Sequence, residues 1–591
     1  MAASVSAIPT IITMLFLTLL VCRQSPAATR YVSPAGGNTA PYTDWASAAH
    51  TIQDAVDVAV SNDLVLVGDG VYDAGGALSR FGYSNRVMVS KSIALHSVNG
   101  PATTIILGKG PVGIGSVRCV YVTNGGFITG FTLKNGYADS LGGGAFLDNG
   151  GVLSNCVITG GERYGAVLYW NGLLTDCIVI SNNYGGVYIS RDGRLEGCTI
   201  SDNVSTNRYG KGGGVYISMD GVVDRCLISG NRLTGDRSEG GGVYFGQEPS
   251  QLAVVRFSTI VGNSAGLEGG GVRITGNEYD WAMLDNCTIC SNTAGDAGGG
   301  VSFWYGGRVN DCRVFANNAG WGGGGFYFHA DGLHPIQRGE ARNCTIAGNS
   351  AGMHGGGTGT DGPSVVYNSI VCFNTAPGSS NYDSYTTFSY CCSDPLPVGT
   401  GNIRGDPLFQ DVHSADYHLL KMSPCINTGN NAATNGLLDL DGLPRIRGGT
   451  VNMGCYEQNR DPGIPPPALN TLLALSGNVT KVVDLPTTGI YIMGTKSANA
   501  WVVVPNEFSG WITNRIVQTL SGLEWAHMVY VPIVSSNTLF YRQSGADFSA
   551  VSTGFVSRTI VLVPETGSVF WAFGLGWPVL RHYRKKRSFR H

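Results

Sequence analysis

One two-part phrase recurs between residues 128 and 374, and it leaves few architectures open. Its first half puts a small residue, a short run of β-formers and an asparagine in fixed order. Examples are Cys177-Ile-Val-Ile-Ser-Asn182, Cys198-Thr-Ile-Ser-Asp-Asn203, Cys226-Leu-Ile-Ser-Gly-Asn231 and Ser258-Thr-Ile-Val-Gly-Asn263, then the runs Cys287 to Asn292, Cys312 to Asn317 and Cys344 to Asn349. Its second half is a glycine run with an alternating strand, as in Gly212-Gly-Gly-Val-Tyr-Ile and Gly240-Gly-Gly-Val-Tyr-Phe. From Cys156 to Ser369 the first half returns every 21 to 32 residues, the spacing of a solenoid. No helical period appears in this span, and strands this short bury a face only by stacking on their copies.

The period of two fixes which side chains point inward. Val215 and Ile217 fall on one side and Tyr216 on the other; Cys198 and Ile200 point in while Thr199 points out. Stacking about 4.8 Å apart then gives interior columns of like residues. Cys156, Cys177, Cys198, Cys226, Cys287, Cys312 and Cys344 share one inward slot with Ser258 and Ser369, so they read as small core side chains rather than a disulfide framework or metal ligands. Asn182, Asn203, Asn231, Asn263, Asn292, Asn317 and Asn349 end the strands, where their amides are expected to form a polar ladder at the corner. Glycine supplies 87 residues with no three-residue period, which excludes collagen and fits tight corners. Charged residues are 13% of the chain and the formal net charge is −3, so no basic surface awaits nucleic acid.

This phrase resembles the right-handed parallel β-helix repeat family, which includes pectate-lyase-like folds. The flanks resemble it too: Tyr31 to Gly37, Thr51 to Val56 and Asp63 to Tyr72 look like an N-terminal cap and first coils, while Asp406 to Phe409, Ser423 to Gly429 and Gly454 to Glu457 look like last coils. The resemblance implies an all-β, right-handed parallel β-helix solenoid over residues 29–460. Cys425 and Cys455 both leave the repeat near its end and are the candidate disulfide.

Outside that span the texture changes. Residues 1–28 read as a signal peptide, with an apolar run and small residues at Ser25 and Ala27. Residues 461–467 form a proline-rich linker, and 468–562 read as a small β-rich domain. Residues 563–591 run from Val563-Pro-Glu-Thr-Gly567 through a short apolar segment into an arginine-rich end. That order resembles a PEP-CTERM sorting signal, without its second proline, and implies export with transient or permanent membrane association at the cell surface.

Chemistry is less legible. Glu239, Glu268 and Asp296 sit at nearly equivalent corners of successive coils, with His354 further on and Gly322 between. Clustered, they are candidate catalytic carboxylates; spread along a corner, they are a solvated edge. A lyase on this fold would use such acids to hold Ca²⁺ and a Lys or Arg as base. Tyr188, Tyr216 and Tyr244 share an outward slot followed by Arg273 and Ser302, a candidate glycan-contacting ladder. These features favour an exported, non-catalytic β-helix with a structural, adhesive or glycan-contacting role and a polysaccharide or cell-envelope partner. The alternative is a polysaccharide lyase or glycoside hydrolase.

Overall fold

The computed structural model describes residues 27–458, apart from 81, 112, 114, 139–141, 247–252, 277–281, 305, 330–338 and 363, together with short strands between 491 and 553. The linker 461–467, the tail 563–591 and all but two residues of the expected leader lie outside the described residues. The chain divides into two compact units, Met1–Val204 and Ser205–His591. It folds as a right-handed parallel β-helix.

The first unit opens on a strand, Thr29–Val32, and a helix, Ile52–Val58, capped by the Thr51 hydroxyl accepting from the Asp54 N–H at 3.2 Å. Short strands then stack in parallel register. Arg118–Val122, Ala145–Leu147, Tyr164–Tyr169 and Gly185–Ser190 form part of one sheet, with Met88, Tyr121, Phe146, Val167 and Tyr188 in one outward column.

In the second unit, Leu227–Ser229, Thr259–Val261, Thr288–Cys290, Arg313–Phe315 and Thr345–Ala347 stack so that Ile228, Ile260, Ile289, Val314 and Ile346 form a fully buried column. A second face carries Val215–Ile217, Val243–Phe245, Val272–Thr275, Val301–Trp304, Phe326–His329 and Thr358–Thr360. Its register aligns Tyr216, Tyr244, Arg273, Ser302, Tyr327 and Gly359 on the outer side. Val215, Ile217, Cys226 and Ile228 here, and Cys198 and Ile200 in the first unit, are at most 3% exposed, as the period of two requires.

Two polar columns run inside this apolar core. The Cys177 thiol receives the Cys156 N–H at 3.3 Å and the Ser258 hydroxyl receives the Cys226 N–H at 3.0 Å, so thiol and hydroxyl are interchangeable acceptors for a corner amide. The Asn263 Oδ1 takes both the backbone N–H of Asn231 at 3.0 Å and its Nδ2 at 2.9 Å, and Asn292 does the same for Asn263 at 2.9 and 3.0 Å. The ladder is buried along its length, each rung bonding the next coil. Glycine is needed beside it: Gly240 turns at φ +68°, and a Cβ on Gly271 would lie 2.6 Å from the Gly300 carbonyl and 2.9 Å from Asn292 Nδ2.

The expected Cys425–Cys455 bridge is not made. Every described cysteine is a buried free thiol; Cys455 Sγ turns to the Thr345 hydroxyl at 3.3 Å, and Cys425 faces Cys392 instead. Terminal coils pack through an antiparallel pair, Phe409–Asp411 with Asp416–Leu419, around Tyr417, Met453 and Tyr456.

Candidate functional site on the outer face of the second unit

The corner before each glycine run is a backbone-paired column: Lys211, Glu239, Glu268, Ala297, Gly322 and His354. Glu239 and Glu268 therefore align directly. Asp296 does not; it lies one residue before the slot, which Ala297 fills, because the run Asp-Ala-Gly carries one extra residue between the acid and the glycines.

Glu268 is not part of a solvated edge. It is 6% exposed, and its Oε2 receives three donors: the Arg273 guanidinium, the Ser302 hydroxyl at 2.8 Å and His329 Nε2 at 2.7 Å. Arg273 also faces Glu239 at 3.5 Å, and His329 Nδ1 faces Asp361 at 3.2 Å. Period-two geometry builds this arrangement. Arg273 and Ser302 occupy the outward column, while Thr275, Trp304 and His329 form the next outward column two residues on.

Charges set the protonation states. Burial alone would raise the Glu268 carboxyl, but the His329 hydrogen bond and the Arg273 charge outweigh it and hold it at about 2. Burial pulls His329 down, yet its bonds to Asp361 and Glu268 pull it up further, so the ring keeps its second proton to higher pH than a free imidazole. Asp296 moves the other way: partial burial and the neighbouring Glu268 charge raise it above the usual carboxylate range. One patch thus holds a fixed carboxylate and a carboxyl that keeps its proton to higher pH.

Aromatic rings wall the patch. His329 lies 4.7 Å from Trp304 and 4.7 Å from Tyr327, Trp321 lies 5.6 Å from Tyr327, and His354 sits 4.3 Å from Trp321 with Asp383 at 3.8 Å. Among the described residues no group of three or more His, Cys, Asp or Glu side chains is disposed to hold a metal ion; the carboxylates turn onto Arg273 and His329.

The tyrosine ladder is only partly a surface. Tyr188, in the first unit, is half-buried 5.7 Å from Tyr164. Tyr216 is half-buried, but Tyr244 is 1% exposed, packed 5.1 Å from Tyr216 and covered by the Lys211 ammonium 4.8 Å away. Sequence reasoning missed Trp304, His329 and Asp361. The signal was present in Val-Arg-Ile-Thr275, Val-Ser-Phe-Trp304 and Phe-Tyr-Phe-His329, whose last residues share the outward parity of Arg273, Ser302 and Tyr327.

A family model described as "Right handed beta helix region" matches residues 118–382, the coils that carry the asparagine ladder and the Glu268 patch. No curated protein sequence matches the chain. Among solved structures, the pectate lyase Pel9A is 14% identical over 74% of this chain and 97% of its own, with a TM-score of 0.40. The A-module of the mannuronan C-5 epimerase AlgE6 from Azotobacter vinelandii is 15% identical over 58% and 96%, with a TM-score of 0.32. The catalytic unit of a GH87 alpha-1,3-glucanase from Streptomyces thermodiastaticus strain HF3-3 is 12% identical over 65% and 67%, with a TM-score of 0.31.

Proposed function

We propose that the chain is an exported enzyme that hydrolyses an extracellular glycan on the outer face around Glu268, with Asp296 as proton donor and Asp361 as the carboxylate that activates water. The observation that carries this reading is the buried Glu268–Arg273–His329 network with partly exposed acids at its rim. Buried ion pairs contribute little net stability, because desolvation offsets their attraction. This one holds Asp361 through His329 and, by the charge of Glu268, adds to the burial that raises Asp296. Trp304 and Trp321, the rings of this wall that reach the surface, supply the apolar faces against which sugar rings stack. In the step itself, Asp296 gives its proton to the glycosidic oxygen as the C–O bond breaks. Asp361 takes a proton from the water that attacks the anomeric carbon.

Reducing-end release by the full chain over a panel of neutral and acidic polysaccharides tests the reading. Asp296→Asn and Asp361→Asn should each lower kcat about 10²- to 10⁴-fold, with unchanged unfolding midpoints. A wild-type chain that binds a glycan and releases no ends would reinstate a non-catalytic, glycan-holding role, which the half-buried Tyr216 beside this face favours. Unsaturated sugar ends in place of simple reducing ends would mark elimination, the lyase reaction.

A further inference from the structure

The first unit holds a separate cavity of about 430 Å³, lined among others by Arg80, Tyr121, Asn124, Asp148, Asn149 and Trp170. Its floor is a built polar site. Asp148 is 1% exposed; its Oδ2 accepts from Arg80 at 2.8 Å and from the Tyr121 hydroxyl at 2.9 Å, while its Oδ1 is buried with no hydrogen-bond partner among the described residues. A buried carboxylate oxygen without a donor is costly and rare, which marks this one as an acceptor held for something that enters the cavity.

Asn124, Asn149, Trp170 and Arg191 occupy the same turn of successive coils, as the Gly150 N–H to Trp170 carbonyl and Asn171 N–H to Arg191 carbonyl bonds show, at 3.0 and 3.1 Å. All four turn in the left-handed region, at φ +55°, +44°, +45° and +55°. Left-handed corners recur along the coils, with Phe257 and Tyr390 among their bulky members, so what sets Trp170 apart is where its ring lies. The Trp170 indole is 44% exposed. The Arg191 guanidinium lies over it at 4.7 Å from the following coil, while Asn149 and Asn124 line the cavity from the preceding ones.

We infer that this cavity is a second carbohydrate site, which seats a neutral sugar ring against Trp170 with one hydroxyl donating to Asp148 Oδ1. The class of sugar follows from the charge count. Arg80 already balances Asp148, Arg191 is stacked on the Tyr169 and Trp170 rings and does not line the cavity, and the other lining groups named here are amides, a phenol and an indole, which leaves the lining no cation to pair with a uronate carboxylate. Asn149 Nδ2 already binds Asn124 Oδ1 at 2.7 Å, and Asn124 Nδ2 binds the Ser90 carbonyl at 3.1 Å, which fixes both amides at the rim. The site uses none of the residues assigned to hydrolysis, so it stands whether or not that assignment holds.

Calorimetric titration of the full chain carrying Asp296→Asn tests it, with cellohexaose, mannohexaose, xylohexaose and laminarihexaose as neutral probes and an oligogalacturonate as the acidic one. At least one neutral probe should bind. Adding Trp170→Ala should weaken that binding at least tenfold, Trp170→Phe should restore most of it, and Asp148→Asn should weaken it while leaving the fold intact by circular dichroism. Trp170→Ala in the wild-type background should leave hydrolysis of short soluble substrates unchanged. Absence of binding by every neutral probe, binding indifferent to Trp170→Ala, or preference for the acidic probe would overturn the inference.

Discussion

Glu268 carries more of the second unit's outer face than any other side chain, because three donors converge on one of its oxygens. Its corner was visible in the sequence, since Glu239 and Glu268 both stand immediately before a glycine run. Its partners were not. Coil lengths of 32, 29, 25 and 32 residues between Cys226 and Cys344 hide which outward residues of neighbouring strands align, and the half-turn between corner and strand brings Arg273 back onto Glu268 five residues away. The same folding-back buries Tyr244, which alternation alone places outward. Replacing Glu268 by Gln should cost about 3–5 kcal/mol, the usual effect of breaking one side of a buried ion pair. The carboxyl is held below its ordinary value, so its stabilisation is present above about pH 4.5 and is lost as pH falls towards 2. Urea titrations should therefore show the wild-type chain losing its advantage over Glu268→Gln across that window. Equal stability of the two proteins at neutral pH would contradict the network described.

At the scale of the elements, the repeat made the architecture legible because each coil uses the same physics: an inward small residue, an inward Ile or Val, an asparagine and a glycine corner. What spacing did not reveal is how many groups each rung serves. In the structure Asn263 satisfies two donors of Asn231, and its own Nδ2 reaches the Ile228 carbonyl at 2.9 Å. Asn263→Leu strands these groups, at about 1–3 kcal/mol for each left unpaired, whereas the exposed Thr293→Ala should be nearly neutral. Coils contact mainly their neighbours, so the damage should appear first as proteolytic cuts between residues 226 and 292. Identical digestion patterns for the two variants would contradict the ladder's role. The terminal coils behave differently with pH. Arg445, fully buried, faces Asp311 at 2.8 Å and Glu457 at 3.4 Å, one cation for two acids. Burial, only partly offset by Arg445, pushes Asp311 up to about 7 and Glu457 up to about 8. Raised carboxyls favour the folded state below their ordinary values and lose that contribution progressively as pH climbs from about 4.5 through 7 and 8, so protection from amide exchange around residues 425–457 should fall between about pH 4.5 and 8. Unchanged protection across that range would count against this assignment.

For the whole molecule, a fold of this kind leaves function to whatever its outer faces carry, which is why the repeat spoke clearly about architecture and faintly about chemistry. Low charge and a sorting-like tail pointed the sequence reading towards a non-catalytic surface protein with a structural, adhesive or glycan-contacting role, ahead of a glycan-cleaving enzyme. The second unit instead concentrates Glu239, Glu268, Asp296, Asp361 and Asp383 with two histidines and an arginine on one face, beside Trp304, Trp321 and Tyr327. The pH dependence of cleavage follows from this. Activity should fall on the alkaline side as Asp296 loses its proton, at a pH above the ordinary aspartate range because burial and Glu268 hold that proton in place. The most direct test of the account is a crystal structure of the full-length Asp296→Asn chain soaked with the oligosaccharide that the wild-type chain cleaves. The account places a glycosidic oxygen within about 3 Å of the residue 296 amide, with a sugar ring against Trp304 or Trp321. Sugar bound elsewhere on the chain, with this face empty, would contradict it.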